Sequence, residues 1–222
     1  MVSRETAGPP PPLPAWLADH VGALSAFTEL LADVGVTRGL IGPREVPRLW
    51  ERHILNCAVV ADPAEGLIPV GARVGDVGSG AGLPGLVWAI CRPDLQVVMI
   101  EPLLRRSTFL VEAIAELGLT ERAQVWRGRA EEITGQADFT PFDVVTARAV
   151  APLDRLIGWT VPLLAVGGSL VALKGSSAEQ ELRDAAAVAN AAGLTALAVR
   201  VVGAGIVDPG TTVITGVRRA AQ

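Results

Sequence analysis

Two rhythms of apolar residues divide the chain. In the first, Leu17, Val21, Leu24, Phe27, Leu30 and Leu31 recur at spacings of three and four. That period buries one face of a helix, and it predicts helical structure over residues 15 to about 62. A second helical piece is expected from Glu45 to Val60, through RLWERHILNCAVV, before Pro63, Gly66 and Pro69 mark a loop. From Ala72 onward the rhythm shortens. ARVGDVG, LQVVMIEP, AQVWRGRAEE, FDVVTARAV and SLVALKG read as strands. Between them LVWAICR, RRSTFLVEAIAELGL and DRLIGWTVPLL read as helices, and SAEQELRDAAAVANAAGL follows the last. Short apolar strands separated by helices imply a mostly parallel sheet covered on both faces. The closing runs TALAVRVVG and TTVITGVRR lie too close together for a helical crossover, so they predict an antiparallel hairpin.

The reading is therefore a doubly wound, Rossmann-like α/β sheet with an N-terminal helical cap. Its expected boundaries are a disordered proline-rich leader over 1–14, the cap over 15–70 and the sheet domain over 71–222. The stretch LIGWTVPLLAVGGSLVAL carries no charge and approaches membrane-spanning length. Pro162 and the Gly167-Gly168 pair interrupt it, so it reads as helix, turn and buried strand. The leader lacks the apolar centre of a signal peptide. A cytoplasmic chain without a membrane segment is expected.

Composition adjusts this picture in two ways. Half of the 222 residues are hydrophobic and 19% are charged, enough to build a substantial core. The net charge of −4 offers no global attraction to nucleic acid, so contact with RNA would need a local basic patch. Lys174 is the only lysine, which leaves arginine to make such a patch. Cys57 and Cys91 lack Cys-x-x-Cys spacing, and neither His20 nor His53 completes a metal-binding pattern. No metal site and no disulfide are expected.

The chemistry concentrates in VGDVGSGAGLPG, where Gly78, Gly80, Gly82 and Gly85 follow a strand. Such glycines let a backbone turn sharply and a ligand approach the main chain. Gly80-x-Gly82-x-x-Gly85 matches the dinucleotide fingerprint, a weak signal alone. Glu101 ends the second strand, at the edge where open α/β sheets bind ligands, and suits ribose hydroxyls. Glu101 fits both a nicotinamide dinucleotide and S-adenosyl-L-methionine. Asp76 ahead of the glycines favours the second, since a carboxylate attracts that cofactor's amino group and gains nothing from a diphosphate. Ala130 and Glu131 follow the third strand at the same edge, where backbone N–H groups can meet adenine.

DVGSGAGLPG, with RHILNC upstream and TARAVAPLDRLIGW and ALKG downstream, resembles the glucose-inhibited division protein B family. These are bacterial methyltransferases of guanine N7 in small-subunit (16S) ribosomal RNA. The resemblance runs from about residue 45 to the end. It implies a class I methyltransferase sheet, S-adenosyl-L-methionine as cofactor, and ribosomal RNA or the 30S particle as partner; a monomer is expected. Cofactor contacts are implied at Gly78, Leu83, Ala130, Glu131 and Arg148, and Asp76, Gly80 and Glu101 join them from the chemistry above. Arg148 and Lys174 become candidates for positioning the RNA near the cofactor. Two departures concern the cap. Asn56-Cys57 stands where the family has Asp-Ser, and GVTRGLIGPREV replaces a Trp-Asn…Asn-Leu-Thr stretch.

Guanine N7 carries an in-plane lone pair, so no general base is expected. TARAVAPL at the fourth strand lacks the Asn/Asp-Pro-Pro-aromatic motif of exocyclic-amine methyltransferases. Arg44, Arg48 and Arg52 recur every four residues and are expected on one helix face. Arg105 and Arg106 open a helix near the cofactor edge, and all five are candidates for RNA phosphates. His53 reads as a core or capping residue, and Trp50, Trp88, Trp126 and Trp159 as core. Two alternatives stay open, an NAD-dependent dehydrogenase and a non-catalytic RNA-binding scaffold.

Overall fold

A computed structural model describes residues 7–220. Of the expected leader, residues 1–6 lie outside the described residues. The remainder forms no helix or strand, yet Ala7 and Leu13 pack against the core.

Among the described residues seven strands form one sheet: β1 Arg73–Val77, β2 Gln96–Ile100, β3 Ala123–Trp126, β4 Phe142–Arg148, β5 Leu164–Lys174, β6 Leu194–Val202 and β7 Thr211–Arg218. Their order is β3-β2-β1-β4-β5-β7-β6. The strands from β1 to β5 pair in parallel, and β7 inserts antiparallel between β5 and β6. The expected hairpin is present. Alternation along the strands separates two cores. Val74, Val97, Met99, Val144 and Val171 face one, while Val77, Val98, Ile100, Val145 and Leu170 face the other.

Among the described residues seven α-helices accompany the sheet: α1 Val21–Leu30, α2 Asn56–Ala58, α3 Gly85–Cys91, α4 Leu104–Glu116, α5 Ala130–Ile133, α6 Leu153–Thr160 and α7 Ala178–Ala191. The first core also takes in the cap, α3 and α4, and the second takes in α5, α6 and α7. Phe142 closes the second core against Gly75. A Cβ on that glycine would stand 2.7 Å from the ring, so the strand needs glycine there.

The cap is helical as expected, but not as two regular α-helices. A 3-10 turn over Ala15–His20 leads into α1, which passes into a π turn over Leu31–Gly35. The second piece starts as a 3-10 helix over Pro43–Arg48 and continues as a π-helix over Leu49–Leu55. Pro47 inside it cannot donate to a helical ladder. The cap is tied to the far end of the chain. Thr211 Oγ1 donates to Asn56 Oδ1 at 2.7 Å, and Gly203 N donates to Glu65 Oε1 at 3.2 Å. No helix among the described residues is long and apolar enough to cross a membrane.

Candidate active site

β1 lies between β2 and β4, so the chain leaves the sheet in opposite directions on either side of it. A crevice opens at the carboxyl ends of strands where the order reverses. There the structure holds a cavity of about 570 Å³. Gly78, Gly80 and Leu83 of the turn line it, with Glu101 after β2, Ala130 and Glu131 at the start of α5, and Arg148 at the end of β4. Seven of the eight cofactor residues read from the sequence thus meet in one place.

The turn is held from below. Gly78, Gly80 and Gly82 have φ of 70°, 57° and 88°, values that L side chains rarely adopt. Glu101 is 1% exposed, and its carboxylate accepts the N–H of Gly80 and of Leu103, each at 3.0 Å. The same side chain therefore fixes the glycine turn and lines the cavity, a combination suited to two hydroxyls on adjacent carbons.

Asp76, the eighth residue, sits beneath the cavity rather than on its wall. It is fully buried, and its Oδ2 accepts the N–H of Gly85 at 3.0 Å. Its Oδ1 has no protein partner among the described residues. Burial pushes the carboxyl up to about 7, against the opposing influence of nearby Ser79 and of the Gly85 N–H. An orphaned carboxylate oxygen under a glycine cradle fits a cofactor with a cationic amino group and an adenosyl part better than one with a diphosphate.

Lys174 is not on the wall. Its Nζ donates to Ala151 O at 2.8 Å and to Glu181 Oε2 at 2.7 Å, while Glu181 also takes the N–H of Leu153. The expectation that it faces RNA is corrected, because a side chain 8% exposed has its charge engaged in this clamp. The clamp bears on the site indirectly. Ala149, which lines the cavity, has φ of 55°, and the segment after it is what Lys174 holds.

Among the arginines read as RNA contacts, Arg106 lines the cavity and stands 4.0 Å from Glu101. Arg44, Arg48, Arg52 and Arg105 are exposed outside it. The shared helix face is corrected. A 3-10 helix turns in about three residues, so Arg44 and Arg48 point in different directions. Arg52 Nη1 donates to Glu45 Oε1 at 3.1 Å.

Other wall residues went unread as such. Leu40 and Ile41 come from the GLIGPREV stretch and His53 from the helix after it, so the cap forms part of the site. Arg129, Val150 and Trp159 complete the rim, and Trp159 also packs against the second core. His53 is central. Arg148 Nη2 meets His53 Nδ1 at 2.7 Å, and His53 Nε2 meets Glu45 Oε2 at 3.0 Å. Arg148 Nη1 also donates to Cys57 Sγ at 3.1 Å. Cys57, one of the departures from the family pattern, is thus a direct partner of the site arginine. Among the described residues no cluster of three or more His, Cys, Asp or Glu side chains could hold a metal ion.

A family model described as rRNA small subunit methyltransferase G matches residues 20–208. The chain is 60% identical over 189 residues to the Ribosomal RNA small subunit methyltransferase G of Thermobifida fusca, covering 85% of this chain and 76% of that one. It is 54% identical over 221 residues to the protein of that name from Salinispora tropica, covering 96% of this chain and 90% of the relative. Among solved structures, an O-methyltransferase from Bacillus cereus in complex with SAH superposes with a TM-score of 0.58 at 15% identity, covering 87% of this chain and 91% of that one. A SAM-dependent O-methyltransferase from Thermotoga maritima gives 0.56 at 14% identity, over 88% of this chain and 72% of that one. These structures share the fold.

Proposed function

The chain belongs to the rRNA small subunit methyltransferase G family, and on that premise we propose that it methylates N7 of a guanine in 16S ribosomal RNA, with S-adenosyl-L-methionine as methyl donor. The observation that carries this reading is the convergence of Gly78, Gly80, Glu101, Ala130 and Arg148 on one cavity. Glu101 takes the ribose hydroxyls, and the N–H groups at Ala130 and Glu131 take the adenine edge. Leu83 closes over the apolar part. Asp76 offsets the amino charge through the turn, and Arg148 takes the methionine carboxylate. That carboxylate needs a cation, and Nε–H and one hydrogen of Nη1 on Arg148 have no acceptor among the described residues.

When bound, the cofactor supplies a methyl group on a positively charged sulfur. Guanine N7 offers its own lone pair, so the protein removes no proton to make a nucleophile. The residues instead align acceptor with donor and exclude water, and alignment of this kind alone accelerates group transfer greatly. No wall residue has to act as a general base. N7 faces the deep groove of an RNA helix, so the target guanine is met unpaired or extruded. The enzyme works as a cytoplasmic monomer, with Arg44, Arg48, Arg105 and Arg106 against RNA phosphates. The dehydrogenase alternative has no support in a methyltransferase family.

The test is incubation with methyl-labelled cofactor and small-subunit particles at several assembly stages. The label is expected in one guanine, where borohydride and aniline then cleave the strand, as they do at N7-methylguanosine. Label at a site resistant to that cleavage would overturn N7. No label at any stage would favour the scaffold alternative.

A further inference from the structure

Arginine has no acceptor, so the 2.7 Å contact between Arg148 Nη2 and His53 Nδ1 assigns the proton on the imidazole. Nδ1 must present its lone pair to the guanidinium. Nε2 then carries the hydrogen and donates it to Glu45 Oε2 at 3.0 Å. Arg52 O and Cys57 Sγ accept two more N–H groups of Arg148, at 3.3 and 3.1 Å. Every one of these acceptors comes from the cap, whereas Arg148 belongs to β4, over ninety residues away in sequence. We propose that Glu45 and His53 are positioning residues: they hold Arg148 in the orientation that grips the amino-acid end of the cofactor, and the grip requires a neutral His53. The inference rests on the function proposed above.

The charged groups facing His53 are Glu45 from the 3-10 segment, Arg52 from its own helix and Arg148 from β4. Burial, then the Arg148 charge, holds His53 below the usual histidine range, while Glu45 works the other way. His53 is therefore neutral at physiological pH and takes a proton only on acidification. Protonation removes the lone pair that Arg148 uses and sets two cations side by side.

Binding, rather than turnover, separates this device from ordinary support of the fold. Two probes suffice: S-adenosylhomocysteine, which has the amino-acid end, and 5′-methylthioadenosine, which lacks it. Glu45→Ala and His53→Ala are expected to weaken S-adenosylhomocysteine about tenfold, the scale of one hydrogen bond to a charged group, and to leave methylthioadenosine within about twofold. His53→Asn restores most of the affinity, because an asparagine oxygen can stand where Nδ1 stands. It also makes the loss of affinity on acidification smaller than in the natural protein, the remainder coming from protonation of Asp76. Equal weakening of both probes, or weakening of neither, overturns the positioning role. Failure of the natural protein to bind either probe overturns the cofactor reading itself, and the positioning role with it.

Discussion

Asp76 Oδ2 accepts the backbone N–H of Gly85 at 3.0 Å, so a carboxylate near the end of β1 also anchors the first turn of α3. The bond is close enough to exclude any side chain at 85, where a Cβ would stand 2.6 Å from the same oxygen. With its other oxygen unpartnered among the described residues, the carboxyl is pushed up to about 7 by burial.

That shift fixes a sign. The folded state holds the Asp76 proton more tightly than the unfolded chain does, so this stabilisation is complete below the ordinary aspartate range and is lost as pH rises towards 7. Asp76→Asn should therefore gain in melting temperature over the natural protein between pH 4 and 7, with the gain level above that window. A cofactor amino cation favours the ionised form. Titration calorimetry at pH 6 in buffers of different ionisation enthalpy should show proton release on binding, weaker at pH 8 and absent in the asparagine variant. A melting curve with the opposite pH trend would contradict the assignment.

The glycines of the turn should separate on substitution. At Gly82 a Cβ would stand 2.4 Å from Leu86, and at Gly85 it would strike Asp76, so both alanine variants should lose cofactor binding and melt well below the natural protein. At Gly80 the nearest atom would be 3.8 Å away. Gly80→Ala then bears only the cost of its left-handed backbone, about 1–2 kcal/mol. Calorimetric melting of the three variants checks the order.

Lys174 should behave as a clamp. Lys174→Met strands the Glu181 carboxylate and frees Ala151, so melting temperature falls. Adding Glu181→Gln should recover part of the fall. A lysine acting on RNA would instead lose kcat with melting unchanged.

The exposed arginines should act through phosphate. Replacing Arg44, Arg48 and Arg105 with alanine should weaken RNA binding without regard to sequence, and reduce the salt slope by about one for each arginine replaced. Arg52, partnered by Glu45, should contribute less. Filter binding across a salt series distinguishes the two.

What the sequence revealed of this site follows the locality of its interactions. Strand and helix alternation is a short-range pattern, and so is the glycine turn with Glu101 at the next strand end. Each could be read in windows of some twenty residues. Asp76 was legible as a carboxylate beside the glycine turn, but its place below the cavity floor depends on a bond across the turn. His53 was hidden for the opposite reason. Its contact comes from Arg148, on a strand that pairing brings against the cap, and an imidazole followed by Ile54 and Leu55 reads as a core histidine. Lys174 misled because a lone lysine at a strand end has the same signature whether it meets RNA or Glu181. The irregular turns of the cap escaped because apolar spacings of three and four suit 3-10, α and π winding alike.

The ties between Thr211 and Asn56, and between Gly203 and Glu65, also set a schedule. A ribosome delivers the cap first and its moorings last. The cap, and with it the wall that carries His53, gains these contacts only when the start of β7 has emerged. The segment from Asn56 to Glu65 thus stays unmoored until residues 203–211 follow it out, about 140 residues later.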